Sequence, residues 1–163
     1  MNKYTIRPIT ERDIPFLWDM LYESLYVPKG KDPFNRDVIK EPSLSKYVEE
    51  WGREGDLGYI AVDEEGQLLG SITIRYFNES NKGFGFVSND IAELGMALKA
   101  EYRGIGIGTA LLNMLINRMK EKEIKRVSLS VDSDNIVAVK LYKRFGFKEV
   151  GMVDTSITMV ADL

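Results

Sequence analysis

The chain has 163 residues, 44% of them hydrophobic, enough to bury about two-thirds of its unfolded surface, and reads as one domain over 1–163. It contains neither cysteine nor histidine, which excludes disulfides, thiolate nucleophiles, serine–histidine triads and the usual zinc ligands. Catalysis must then rest on carboxylate, tyrosine, lysine, arginine or backbone groups, with no metal. A net charge of −3 argues against a nucleic-acid surface, and neither a membrane-spanning run nor a signal-peptide core is visible, so a cytoplasmic protein with no membrane partner is expected.

Lys3–Ile9 alternates and is β-rich, predicting a strand. Thr10 and Asp13 have the spacing of a capping box and open an amphipathic helix through about Tyr22. Val27–Pro42 carries three prolines and many charges; it reads as a loop, a lid or acceptor-site element, ahead of a helix from Ser43 to Trp51. Leu57–Phe77 predicts a hairpin turning at Asp63–Gln67. A loop rich in Asn, Ser and Gly follows, Asn78–Asp90, and Ile91–Leu98 is apolar enough for a central strand. Arg75–Phe77 and Phe84–Phe86 could line an acceptor pocket or simply pack.

The next stretch, "YRGIGIGTALL", places Gly104, Gly106 and Gly108 on alternate positions at the start of a helix whose inward stripe is Ile107, Leu111, Leu115 and Met119. Arg126–Val131 is a strand, which completes a βαβ unit. Asp132–Phe147 predicts another helix, with Val137, Ala138, Leu141 and Phe145 inward and Gly146 ending it. Two strands, Lys148–Val153 and Ser156–Val160, close the chain.

Glycine costs about 0.5–1 kcal/mol relative to alanine in a helix, so three need a reason. The dinucleotide pattern G-x-G-x-x-G fails at Thr109, and no G-K-[ST] of a P-loop exists. Two readings remain: a tight turn that packs closely on the sheet, or unobstructed backbone N–H groups at a helix N-terminus that bind an anion, with Arg103 at the lip.

Arg103–Gly108, R-G-I-G-I-G, resembles the [QR]-x-x-G-x-[GA] motif of the GNAT family of N-acetyltransferases, and Glu101–Gly104 matches its usual lead-in. Asn135–Phe147 is similar to the family's N-x-x-A-x-x-x-Y segment ending in G-F, with Asn135, Ala138, Tyr142, Gly146 and Phe147 in register. The resemblance covers about Ile91–Phe147. It implies an α/β fold, a mostly antiparallel mixed sheet with a splayed parallel pair in the middle and helices on both faces.

It also implies a function: transfer of an acetyl group from acetyl-CoA to a primary amine on a small molecule, protein or peptide. A non-catalytic acyl-CoA-binding protein is the alternative, and a homodimer is compatible with family habit. The backbone of Arg103, Gly104, Ile105, Gly106, Ile107, Gly108 and Thr109 would hold the pyrophosphate of coenzyme A. Met96, Ala97 and Leu98 would lie along its pantetheine arm, where a bulge eased by Gly95 parts their strand from the next. Tyr142 matches the acid that protonates the departing thiolate, and otherwise reads as a core aromatic. Asn135 matches a cofactor contact, and otherwise reads as an N-cap. Glu93 matches a strand glutamate that serves as general base in several members; a solvated or salt-bridged residue on an outward face, Asp90 or a water chain are the other readings.

Overall fold

A computed structural model describes residues 3–163. β1 (Tyr4–Pro8) leads through a single turn of 3-10 helix into α1 (Ile14–Glu23). Asp13 is buried at that junction; its carboxylate accepts from the Thr10 N–H (2.7 Å) and pairs with Arg7 (2.7 Å), which holds it below the ordinary carboxylate range. α2 (Pro42–Ser45) follows, then β2 (Leu57–Asp63), β3 (Leu68–Arg75) and β4 (Ala92–Leu98). The second half comprises α3 (Ile107–Glu121), β5 (Arg126–Asp132), α4 (Ile136–Arg144), β6 (Lys148–Val153) and β7 (Ser156–Asp162).

The seven strands form one sheet in the order β1-β2-β3-β4-β5-β7-β6. Every neighbouring pair is antiparallel except β4 and β5. That parallel pair is joined only at Ala92–Val127 and Glu93–Ser128 and then parts. No bulge causes the parting: β4 stays in unbroken register with β3 from Arg75–Glu93 to Gly70–Leu98, and Gly95 lies opposite Thr73 within that ladder. A missing partner strand frees the backbone here, rather than a distorted one.

Each face of the sheet carries its own core. α3 and α4 cover one, with Leu111, Leu112, Leu115 and Met119 fully buried against Ile72, Ile74, Leu129 and Met159. The i, i+4 recurrence of apolar residues along α3 aims them all at the sheet. The other face holds α1 and the turns after α2, with Phe16, Leu17, Met20 and Val48 against Ile60 and Ala97. Strand alternation therefore sends Ala92, Leu94, Met96 and Leu98 toward α3 and α4, and Glu93, Gly95 and Ala97 toward α1.

Two expected helices differ from the sequence reading. The one over 43–51 stops at Ser45 and continues as turns, because Arg75 takes the carbonyls of Lys46 (2.8 Å) and Glu49 (2.7 Å) and Glu50 adopts φ +58°. In α4 the inward stripe is Ala138, Leu141, Tyr142 and Phe145; Val137, one residue off that stripe, is 79% exposed. The proline-rich loop also contains a short 3-10 helix, Arg36–Lys40, capped by Asn35.

Candidate active site

The three glycines answer to two different needs. Gly104 (φ +77°) and Gly106 (φ +95°) adopt left-handed backbone, and a side chain there would point into open space. Gly108 has ordinary backbone but lies under α4 and over β4: a Cβ would come within 3.3 Å of Met96 Cε, 3.7 Å of Leu141 Cδ2 and 3.8 Å of Leu98 Cδ1. Close packing and a turned-out loop are both present, in one motif.

The loop leaves a run of donors. The Arg103 N–H donates to Ala100 O (3.3 Å), and helical bonding resumes with Ala110 N–H to Gly106 O (3.1 Å). Between them, among the described residues, the amides of Gly104, Ile105, Gly106, Ile107, Gly108 and Thr109 meet no acceptor. They lie at the positive end of a helix of 15 residues, a place suited to a phosphate. The Arg103 side chain is engaged elsewhere: its Nε donates to Leu98 O (3.1 Å) and its guanidinium pairs with Glu23 (3.2 Å), tying the loop to the end of α1.

The parted strand adds a second set of free groups. Lys99 N–H donates to Leu69 O (2.9 Å), so the odd-numbered residues of β4 address β3. Met96 and Leu98 turn their amides to the β5 side, beyond the last paired residues. Ala97 faces β3 with its backbone and packs its methyl on α1, unlike its two neighbours. Across the gap Tyr26 donates to Asp134 O (3.3 Å), so the segment after α1 reaches from the glycine loop to the start of α4. Asn135 caps α4, its side chain accepting from Ala138 N–H (3.4 Å).

Tyr142 lies on the α3–α4 face, buried beside Phe147 with ring centroids 5.6 Å apart. Burial pushes its hydroxyl up to about 12, because no partner stabilises the phenolate. Its oxygen nevertheless keeps some solvent contact, since no fully buried side-chain oxygen lacks a hydrogen bond among the described residues.

Glu93 lies on the opposite face and is 5% exposed. Its carboxylate accepts from Tyr47 OH (2.5 Å) and from Gly85 N–H (3.0 Å). Burial raises it to about 7, against the lowering effect of those two donors and of the nearby Lys46 charge. A carboxyl near neutrality can hold or give up a proton at working pH. Asp90 is exposed, bonded to Ser88, and held below its ordinary range by that contact.

The sequence matches the Acetyltransferase (GNAT) family over residues 17–147. The chain belongs to this family. An N-alpha-acetyltransferase from Sulfurisphaera tokodaii is 32% identical to it over 119 residues, 71% of each chain. A spermine/spermidine N(1)-acetyltransferase from Bacillus subtilis is 43% identical over 54 residues, 32% of this chain and 36% of that protein. The GNAT fold is also that of PaiA N-acetyltransferase from Thermoplasma acidophilum, solved in complex with coenzyme A: TM-score 0.69 and 23% identity over 99% of each chain. Membership makes the chain an N-acetyltransferase, an acyltransferase enzyme. Among the described residues no helix is long and apolar enough to cross a membrane.

Two features of this GNAT site escape a sequence reading. Tyr47, the partner of Glu93, lies 46 residues away with no motif to mark it. Arg75 is buried against Asp56 (2.8 Å) and pins the Tyr47 turn; its sequence setting allows either a pocket lining or simple packing and names no partner. The only available signal was indirect: a charge inside an apolar strand needs a partner somewhere.

Proposed function

We propose that the protein transfers the acetyl group of acetyl-CoA to a primary amine by direct attack within a ternary complex, the whole chain acting as one catalytic domain. The observation that carries this reading is the run of unpartnered amides from Gly104 to Thr109, lying beside the unpaired amides of Met96 and Leu98. A diphosphate suits the first set of donors, and an extended amide-bearing arm suits the second. Coenzyme A has both in sequence. Asn135, which caps α4, is assigned a cofactor contact on the strength of its motif.

The reaction forms a C–N bond and breaks a C–S bond, and each side chain has one proton to move. The amine is cationic near neutral pH and must lose a proton before its nitrogen can attack; the Glu93 carboxylate accepts that proton, directly or through a water. The Met96 N–H faces the gap and can polarise the thioester carbonyl as negative charge develops on its oxygen. Tyr142 donates its hydroxyl proton to the departing thiolate and is reprotonated by the second proton that the nitrogen sheds as the amide forms. The ammonium thus loses two protons, one ending on the thiol and the one on Glu93 passing to solvent. No acyl-enzyme is needed, which agrees with the lack of cysteine.

The sheet separates the two proton carriers, Tyr142 on one face and Glu93 on the other. Acyl donor and amine would therefore approach from opposite sides and meet where β4 and β5 part. The named relatives act on an α-amino terminus and on a polyamine, which share a protonated primary amine. A panel of such amines incubated with acetyl-CoA, with thiol release as readout, tests the reading. Release that depends on both substrates is expected; coenzyme A binding without transfer to any amine would return the chain to a binding role.

A further inference from the structure

The loop between β3 and β4 contains Gly83-Phe84-Gly85-Phe86, an alternate-glycine pattern that the cofactor site does not use. Gly85 is buried against β5, where a Cβ would fall 2.6 Å from the Leu129 carbonyl carbon and 2.8 Å from Ser130 N. A Cβ on Gly83 would overlap Glu93 Oε1 and lie 2.7 Å from Tyr47 Oη. The two glycines let the loop descend far enough for the Gly85 N–H to reach Glu93. Phe84, between them, turns its N–H to the Tyr47 hydroxyl oxygen (2.7 Å).

Tyr47 is held as firmly as the carboxylate it serves. Its ring stacks on Phe84 (6.4 Å between centroids) and meets Phe77 edge-on (5.1 Å). With its oxygen accepting from Phe84, its proton has one direction left, toward Glu93 Oε2. Burial and the neighbouring carboxylate both oppose ionisation of this phenol, so it remains a donor.

The other groups facing Glu93 are committed elsewhere. From β3, its register partner Arg75 is consumed by Asp56 and by the carbonyls of Lys46 and Glu49. From β5, Ser128 donates its hydroxyl to Ala92 O (3.4 Å). From the turn after α2, Lys46 donates to Lys82 O (2.6 Å) and acts on the carboxylate only through its charge.

We propose that Tyr47 is a positioning residue for acyl transfer: with the Gly85 N–H it fixes the Glu93 carboxylate in the orientation and charge state that accepts the amine proton. This rests on Glu93 being the base. Each held oxygen keeps a lone pair for the amine or a bridging water. Without the Tyr47 donor the anion loses its strongest hydrogen bond and takes up a proton more readily.

The test needs no known acceptor at first. The side-chain carboxyl of Glu93, followed by carbon-13 NMR in the intact protein, should titrate near neutrality, and Tyr47→Phe should raise its midpoint by about one pH unit. Gly83→Ala places a Cβ against both Glu93 Oε1 and Tyr47 Oη, which disrupts their hydrogen bond and should raise the midpoint too; it carries the test if Tyr47→Phe does not fold. The acid limb of kcat/KM for an accepted amine should shift upward in parallel, with the acetyl-CoA KM unchanged. Glu93→Gln should abolish that limb. A midpoint unmoved in Tyr47→Phe, or in Gly83→Ala where it stands in, overturns the proposal alone. An acid limb that survives in Glu93→Gln overturns the base reading, and the proposal with it.

Discussion

Tyr142 and Glu93 are both titratable, both buried and both shifted upward, yet the protein treats them in opposite ways. Tyr142 has no hydrogen-bond partner among the described residues, so no donor offsets the cost of its anion and its proton stays on. Glu93 has two donors and a lysine charge nearby, so burial is partly offset and its proton is exchangeable near pH 7. The same burial makes a dependable acid when the anion is left alone and a usable base when the anion is supported.

Removing either side chain is the most direct way to break that contrast. Tyr142→Phe should lower kcat roughly 10²–10⁴-fold with the acetyl-CoA KM little changed. Because Tyr142 keeps its proton to about 12, steady-state kinetics of the wild type should show no alkaline loss from this group below about pH 10. Wild-type turnover in the variant would remove Tyr142 from the mechanism.

On the Glu93 face the larger structural effect should come from Arg75→Met. It removes the buried cation facing Asp56, which keeps only the Gly52 and Arg53 N–H donors (both 2.9 Å), and frees the Tyr47 turn, at a cost of about 3–5 kcal/mol readable in urea unfolding. Loss below about 1 kcal/mol would mean the pair is dispensable.

Proton linkage sharpens the same comparison. The Glu93 value is raised in the folded protein, from an ordinary 4.5 to about 7, so the folded state binds the proton more tightly and stability falls as pH rises between those values. Glu93→Gln should flatten that slope, with a difference between the two proteins approaching about 3 kcal/mol above pH 7 and vanishing near pH 4. Parallel stability–pH curves for both proteins would contradict the raised value.

The smallest effect belongs to the glycine loop. Gly104→Ala or Gly106→Ala places a Cβ on left-handed backbone, costing about 1 kcal/mol in thermal unfolding. Both should weaken coenzyme A binding in calorimetry without moving the acid limb of Glu93. A shift of that limb would show that the two regions are not independent.

Much of this was legible where the signal is periodic or local. The helical stripe of α3 and the strand–glycine–helix–strand order follow from repeats of 3.6 and 2 residues. Legibility failed where distant groups decide. The helix expected over 43–51 gives way because Arg75 takes its carbonyls, and propensity cannot register a competitor 26 residues away. Val137 was expected inside because it is apolar, yet packing chose the stripe through Tyr142. The resemblance puts Ala97 along the cofactor arm with Met96 and Leu98, whereas strand alternation turns its backbone to β3 and its methyl to the other face. Glu93 could be read as a candidate from its setting; its two donors could not.

The parting of β4 from β5 gives this sheet four edges instead of two, and two of them are internal. An unpaired edge ordinarily invites a strand from another molecule. Here a visiting polypeptide would meet the start of α3 at Gly108 on one face and the Gly85 turn on the other. Walls on both faces make these internal edges poorer partners for a strand than the outer two.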